Sequence, residues 1–209
     1  MGQGPAVTID VIKGNSMQLA KFAAALVAAL SISASANAAL LLNTSASPAN
    51  TVTNYSVPDA VSFDLDLAHL SPTTLRFQLE EADLLGPLSL NAIVRNLSGS
   101  ALNGFHFNLQ GISYLAAGSV TPTFGTLGGV SHGADYASIA FASPEWAEFH
   151  FGNPLAEGGK IDWLLDTRGL AAGDTFVISA DMPEPSTLAL LLPALGLAGL
   201  MAGRRRKKV

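Results

Sequence analysis

Cysteine is missing from all 209 residues. Its absence excludes disulfides, thiolate nucleophiles, zinc–thiolate sites and iron–sulfur clusters together. Charge is scarce as well. Only 13% of residues are Asp, Glu, Lys or Arg, about half the roughly 25% usual in soluble domains. The low charge accompanies 49% hydrophobic residues. That excludes a disordered chain, which combines low hydrophobicity with high net charge. Basic side chains nearly vanish from the middle. Residues 39–182 keep only Arg76, Arg95, Lys160 and Arg168 against fourteen acids, a balance of −10. Such a surface repels phosphates, so nucleic acid is not expected as a partner. A Gly-x-Ser-x-Gly elbow, a P-loop and a dinucleotide fingerprint are also absent.

What is present concentrates at the two ends. Lys21 precedes an apolar run, Phe22–Ile32, and then the small residues Ser33–Ala38. A positive n-region, a short apolar h-region and an A-x-A site form a secretory leader. The site is Ala36-Asn37-Ala38, so cleavage is expected after Ala38. The run is too short for a membrane span, which needs about 20 apolar residues. The leader is complete from Met17, which makes Met17 the expected start and residues 1–16 an upstream extension; the alternative is a start at Met1 with a long n-region. Residues 1–38 are therefore read as extension plus signal peptide, with Sec-type export machinery as the partner.

The other end has three parts in order. Pro183-Glu184-Pro185-Ser186 comes first, then Thr187–Gly203 without a charge, then Arg204, Arg205, Arg206, Lys207 and Lys208. A helix over 187–203 would be about 25 Å long at 1.5 Å per residue. That is slightly short of the roughly 30 Å hydrocarbon core, and snorkelling basic side chains cover the difference. The basic cluster is expected to stop transfer and stay cytoplasmic, leaving the preceding domain outside. Pro183 and Pro185 fix their backbone dihedrals and lack donors, which is expected to keep this segment extended outside the helix.

Residues 183–208 resemble the PEP-CTERM sorting signal of Gram-negative bacteria. The likeness lies in Pro183-Glu184-Pro185, the apolar helix and the cluster Arg204–Lys208 directly before the chain end. It implies recognition by an exosortase, a membrane-embedded cysteine protease-transpeptidase that cuts near the Pro-Glu-Pro motif. It further implies an inner-membrane anchor before processing and a cell-surface or extracellular location afterwards. The competing reading is an ordinary anchor behind a chance Pro-Glu-Pro linker.

Between the ends, residues 39–182 read as an exported all-β domain. Val61, Phe63, Leu65 and Leu67 alternate with polar residues, as do Leu75, Phe77 and Leu79. The same period continues through Leu88–Val94, Phe105–Leu109, Ala147–Phe151, Ile161–Leu165 and Phe176–Ala180. Strict alternation means one buried and one wet face. Turn signals, among them Asn103-Gly104 and Gly128-Gly129, separate the runs. An antiparallel β-sandwich or jelly roll of about eight or nine strands is expected. Glu80–Leu85 has room for one helical turn.

Candidate sites are few. His106 and His150 each stand between two phenylalanines and could share a metal only if their strands were neighbours; no ligand spacing supports this. Asp64 and Asp66 lack a calcium-loop pattern and read as a solvated face. Glu145 and Glu148 flank Trp146, a pairing reminiscent of glycosidases without a cleft signature. Three sequons, at Asn43, Asn54 and Asn96, are expected to be exposed. Trp163 reads as core, whereas Trp146, after Ser143-Pro144-Glu145, is the aromatic expected at the surface and the first choice for a glycan contact. No catalytic residue, metal site or cofactor is expected. The reading is a non-catalytic exported surface or matrix protein associated with exopolysaccharide or biofilm. The alternatives are a carbohydrate-binding module and, less favoured, a hydrolase.

Overall fold

A computed structural model describes residues 38–46 and 50–182. The expected leader and the tail 183–209 lie outside these residues. Among the described residues no helix is long and apolar enough to cross a membrane. The domain is all-β, as the alternation predicts.

One sheet has six strands, ordered β1 (Leu40–Ala46), β4 (Thr73–Gln78), β13 (Thr175–Asp181), β6 (Leu102–Gln110), β10 (Tyr136–Glu145) and β9 (Thr126–His132). The other runs β2 (Thr51–Asn54), β3 (Ala60–Leu67), β5 (Leu88–Asn96), β11 (Glu148–Phe151) and β8 (Val120–Pro122). Two short strands complete it, with β12 (Trp163–Asp166) on β5 and β7 (Ser113–Ala116) on β12.

The sheets face each other across one apolar core. Val61, Phe63, Leu65 and Leu67 of β3 are at most 1% exposed, and so are Leu75 and Phe77 of β4. Phenylalanines join the two layers. Phe63 meets Phe107 at 6.1 Å between ring centroids, Phe105 meets Phe149 at 5.3 Å and Phe107 meets Phe151 at 4.6 Å. Phe151 in turn stacks on Trp163 at 4.5 Å. Each such pair contributes about 0.5–1.5 kcal/mol beyond its area burial.

Several expectations need correction. The sandwich is not wholly antiparallel, because β3 and β5 pair in parallel from Ala60↔Ser89 to Leu67↔Asn96. After β3 the chain crosses to the other sheet as β4. It then makes a 3-10 turn, Glu81–Leu84, where one helical turn is expected. It re-enters beside β3 in the original direction. Alternation reports which face is buried and is blind to strand direction. Among the described residues the strands number thirteen rather than eight or nine. Several of the extra strands bury little: β2 is largely exposed, β9 is exposed at every position, and Gly128-Gly129 runs through it instead of turning. Asn103-Gly104 likewise lies inside β6. Ile161 precedes β12 and is 61% exposed, so it does not share the Trp163 face.

The two ends of the sandwich differ in charge. At one end sit the connections Ala68–Pro72, Leu97–Ala101, Thr123–Gly125 and Trp146–Ala147, which contain no Asp, Glu, Lys or Arg. At the other sit Tyr55–Asp59, Leu79–Pro87, Gly133–Asp135 and Thr167–Asp174, with six acids and Arg168. The chain enters at the acidic end, where Leu40 pairs with Gln78. Its last strand runs toward the uncharged end, where Ala180 pairs with Thr73.

Candidate functional site

The most constructed feature of the domain is at the uncharged end. Glu145 closes β10 with no exposed surface. Its Oε2 accepts the backbone N–H groups of Thr123, Phe124 and Gly125 at 2.9, 2.9 and 2.8 Å. Its Oε1 accepts those of Trp146 and Ala147, both at 2.9 Å. Three consecutive N–H groups on one oxygen form an anion nest. Burial alone would raise the Glu145 carboxyl. The N–H groups of Gly125, Ala147, Phe124 and Thr123 outweigh it and hold the group below the ordinary glutamate range.

Gly125 is required there. A Cβ on it would lie 2.9 Å from the Ser143 carbonyl oxygen and 3.1 Å from the Glu145 backbone. Asn96, at the top of β5, ties in a third loop. Its side-chain amide donates to the carbonyls of Ser100 at 2.7 Å and Glu145 at 3.2 Å, while its own N–H bonds to Ala147.

This framework presents three apolar side chains. Leu97 is 60% exposed, Phe124 73% and Trp146 56%. Trp146 is thus where the sequence places it, at the surface. Trp163 is fully buried, as expected, with its indole N–H on the Ser119 carbonyl at 3.3 Å.

Glu145 and Glu148 do not form an acid–base pair. Both oxygens of Glu145 are occupied, and Glu148 faces Arg95 at 3.5 Å. Arg95 gathers a cluster on the outer face of its sheet, bonding Asp64 at 2.7 Å and Asp66 at 3.1 Å. Asp64 and Asp66 are therefore clamped by a guanidinium rather than merely solvated. The Asp64 hydrogen bond, aided by Asp66, outweighs partial burial and raises the Arg95 pKa.

His150 Nε2 lies 3.5 Å from Glu148 Oε1 without hydrogen-bond geometry. His106, on β6 in the opposite sheet, contacts Ser138 Oγ at 3.1 Å. The two histidines point outward from different sheets, which removes a shared metal site. Among the described residues no cluster of three or more His, Asp or Glu is arranged to hold a metal.

Asn43 and Asn54 are exposed, but Asn96 is buried. Asn54 and Asn96 each accept the N–H and hydroxyl of the serine two residues on, so these two sequons are Asx turns. Two surface hollows lie away from the loop tips, one beside Ala39, Asn54 and Glu80, the other beside Pro87 and Thr167. Neither contains a nucleophile paired with a base. The Glu145 nest has no sequence signal, because its partners are backbone groups, three of them 20–22 positions upstream.

The strongest functional statement comes from beyond the β-domain. Residues 183–207 match the family model of the PEP-CTERM protein-sorting motif. The chain carries a PEP-CTERM sorting signal. The match includes Pro183, Glu184, Pro185 and the basic residues Arg204 to Lys207, which carry the sequence resemblance. A PEP-CTERM signal implies processing by an exosortase and a membrane-anchored stage of export. No curated protein and no solved structure matches the chain, so the β-domain is read from its own geometry.

Proposed function

We propose that this is a non-catalytic exported surface protein. Its leader is removed after Ala38, and its PEP-CTERM tail anchors it until an exosortase cuts near Pro183-Glu184-Pro185. The observation that carries the reading is the motif match over 183–207. Arg204, Arg205, Arg206, Lys207 and Lys208 hold the tail with its basic end in the cytoplasm, and the β-domain is the cargo delivered outside.

The cargo role fits the architecture. The domain's most organised polar site, Glu145, is spent on holding loops. In its largest cluster of opposite charges, Arg95 holds the carboxylates of Asp64, Asp66 and Glu148 against one another's repulsion. At the cell surface, the finer role is association with the producer's exopolysaccharide in a biofilm. Phe124 and Trp146, both exposed on loops whose backbone N–H groups bond one carboxylate, favour this over a bare decoration. Aromatic faces stack on sugar rings, and Trp146 is the proposed contact.

Intact-mass measurement of surface-extracted protein tests the sorting, since both cleavages enter one number. A chain beginning at Ala39 and ending near the motif is expected. Deleting 183–209 should leave the domain in the periplasm. Surface display of the truncated chain at the normal level would overturn the role of the tail. Titration of the domain with the producer's polysaccharide, repeated with Trp146→Ala, tests the finer role. Turnover of the glycan would overturn the non-enzyme reading.

A further inference from the structure

We infer that the uncharged end of the sandwich, tipped by Leu97, Phe124 and Trp146, is a lipid-contacting face that rests on the bilayer while the domain is tethered. The inference rests on the proposal that residues 187–203 anchor the chain.

The geometry of the exit decides which face meets the membrane. β13 runs toward the uncharged end and stops at Asp181, opposite His106. Only Met182 and Pro183–Ser186 separate it from the charge-free segment beginning at Thr187. Five Cα steps from Met182 to Thr187 reach at most roughly 18 Å. From Asp181 back to Thr175, β13 itself covers about 20 Å, with the acidic loops beyond. The tether therefore cannot double back to lay the acidic end on the same bilayer. In the other direction, Leu102 lies four residues beyond His106 along β6, or about 13 Å. The reach of the tether thus matches the distance to the loop tips.

The chemistry of the two ends agrees with this placement. Exposed apolar groups also occur at the far end, including Tyr55, Val57 and Leu85. There they stand among six acids, which resist leaving water. At the near end the four loops carry no Asp, Glu, Lys or Arg, and His69 is their single titratable side chain. Indole and phenyl groups favour the headgroup level of a bilayer. Glu145 strengthens the argument: it supplies the charge that organises the Phe124 and Trp146 loops while keeping that charge wholly buried. The loops themselves carry no basic side chain, and Arg95 on the strand beneath them is engaged by Asp64, Asp66 and Glu148, so contact is expected to depend on apolar insertion and to gain nothing from anionic lipid.

The absence of cysteine allows single-site spin labelling of the full chain. Ser100→Cys places a label on an exposed loop residue beside the tips, and Leu85→Cys places one at the far end. The full chain is expressed in a bacterial host lacking an exosortase, and its membranes are washed with carbonate. The Ser100→Cys label should collide more with oxygen than with an aqueous nickel chelate, and the Leu85→Cys label should show the reverse. Adding Phe124→Asp to Ser100→Cys should shift its label to the aqueous pattern without releasing the protein. Aqueous signatures at both sites in carbonate-resistant protein would overturn the lipid face and leave the anchor intact. Loss of the protein in the carbonate wash would overturn the anchor and the inference with it. Shielding of the Ser100→Cys label only when the producer's polysaccharide is added would assign the tips to glycan, also against the inference.

Discussion

Phe124 and Trp146 donate their backbone N–H groups to opposite oxygens of one buried carboxylate, Glu145, each at 2.9 Å. The two aromatic tips thus belong to different loops and share one anchor. Substituting Glu145 by Ala removes five acceptor contacts and leaves backbone donors unsatisfied beneath the loops. A loss on the order of 3–5 kcal/mol is expected, since each stranded donor costs about 1–3 kcal/mol and water re-enters part of the site. Thermal denaturation of the domain gives the size, and a narrower gap between the emission maxima of variant and unfolded protein reports loosening around Trp146.

The same site sets a pH dependence. The Glu145 carboxyl lies below its ordinary range in the folded protein, so the unfolded chain binds the proton more readily. Its contribution is fully present above the unfolded value of about 4.3. It is lost as pH falls through the depressed folded value. Urea midpoints measured downward from about pH 6 should therefore fall in wild type. Glu145→Gln should start less stable at neutral pH and show a flatter acid limb. Parallel limbs for the two proteins would remove Glu145 as a cause of acid sensitivity.

The inward faces of β3, β4, β6, β11, β12 and β13 were legible in the sequence because period-two alternation records burial directly. Strand direction was not, since Val61, Phe63, Leu65 and Leu67 would alternate identically in a parallel or antiparallel pair. Nor were β2 and β9, whose residues are largely exposed and stay extended through pairing alone. Trp146 and Trp163 were separable by their neighbours, Pro144-Glu145 for one and Leu165 for the other. The Glu145 nest and the Arg95 clamp were not. Both depend on groups brought together from distant segments, and the nest on backbone donors that every residue type except proline possesses.

The two tryptophans predict opposite results from the same substitution. Trp163 is fully buried, stacked on Phe151 and edge-on to Tyr114. Trp163→Ala should cost about 3–5 kcal/mol. Trp146→Ala should stay within about 0.5 kcal/mol, because its ring stands largely in water. Chemical denaturation of both variants checks the contrast, and a large loss in Trp146→Ala would place its ring in the packing.

Gly125 is held to its identity by contact rather than by dihedral angle. A methyl group there meets the Ser143 carbonyl oxygen and the Glu145 main chain, so the loop must move away from the carboxylate it binds. Gly125→Ala should lose about 1–3 kcal/mol through strain and weakened bonds to Oε2. Combining it with Glu145→Ala should cost less than the sum of the two, because both disturb one set of contacts.

Arg95 bridges Asp64, Asp66 and Glu148 on a face where every partner keeps some contact with solvent. Replacing it with Met preserves much of the aliphatic stem but leaves three carboxylates facing one another. Exposure screens the repulsion, so the expected loss is only about 1–2 kcal/mol. Raising salt should shrink the loss, because a shorter Debye length weakens both the lost attraction and the new repulsion. Adding Asp64→Asn to Arg95→Met should recover part of the stability, since Asp64 is the closest partner and the least exposed of the three. Urea denaturation of wild type, both single variants and the double variant, at low and high salt, closes the cycle. Equal losses at the two salt concentrations would show that Arg95 acts through packing of its stem rather than through its charge.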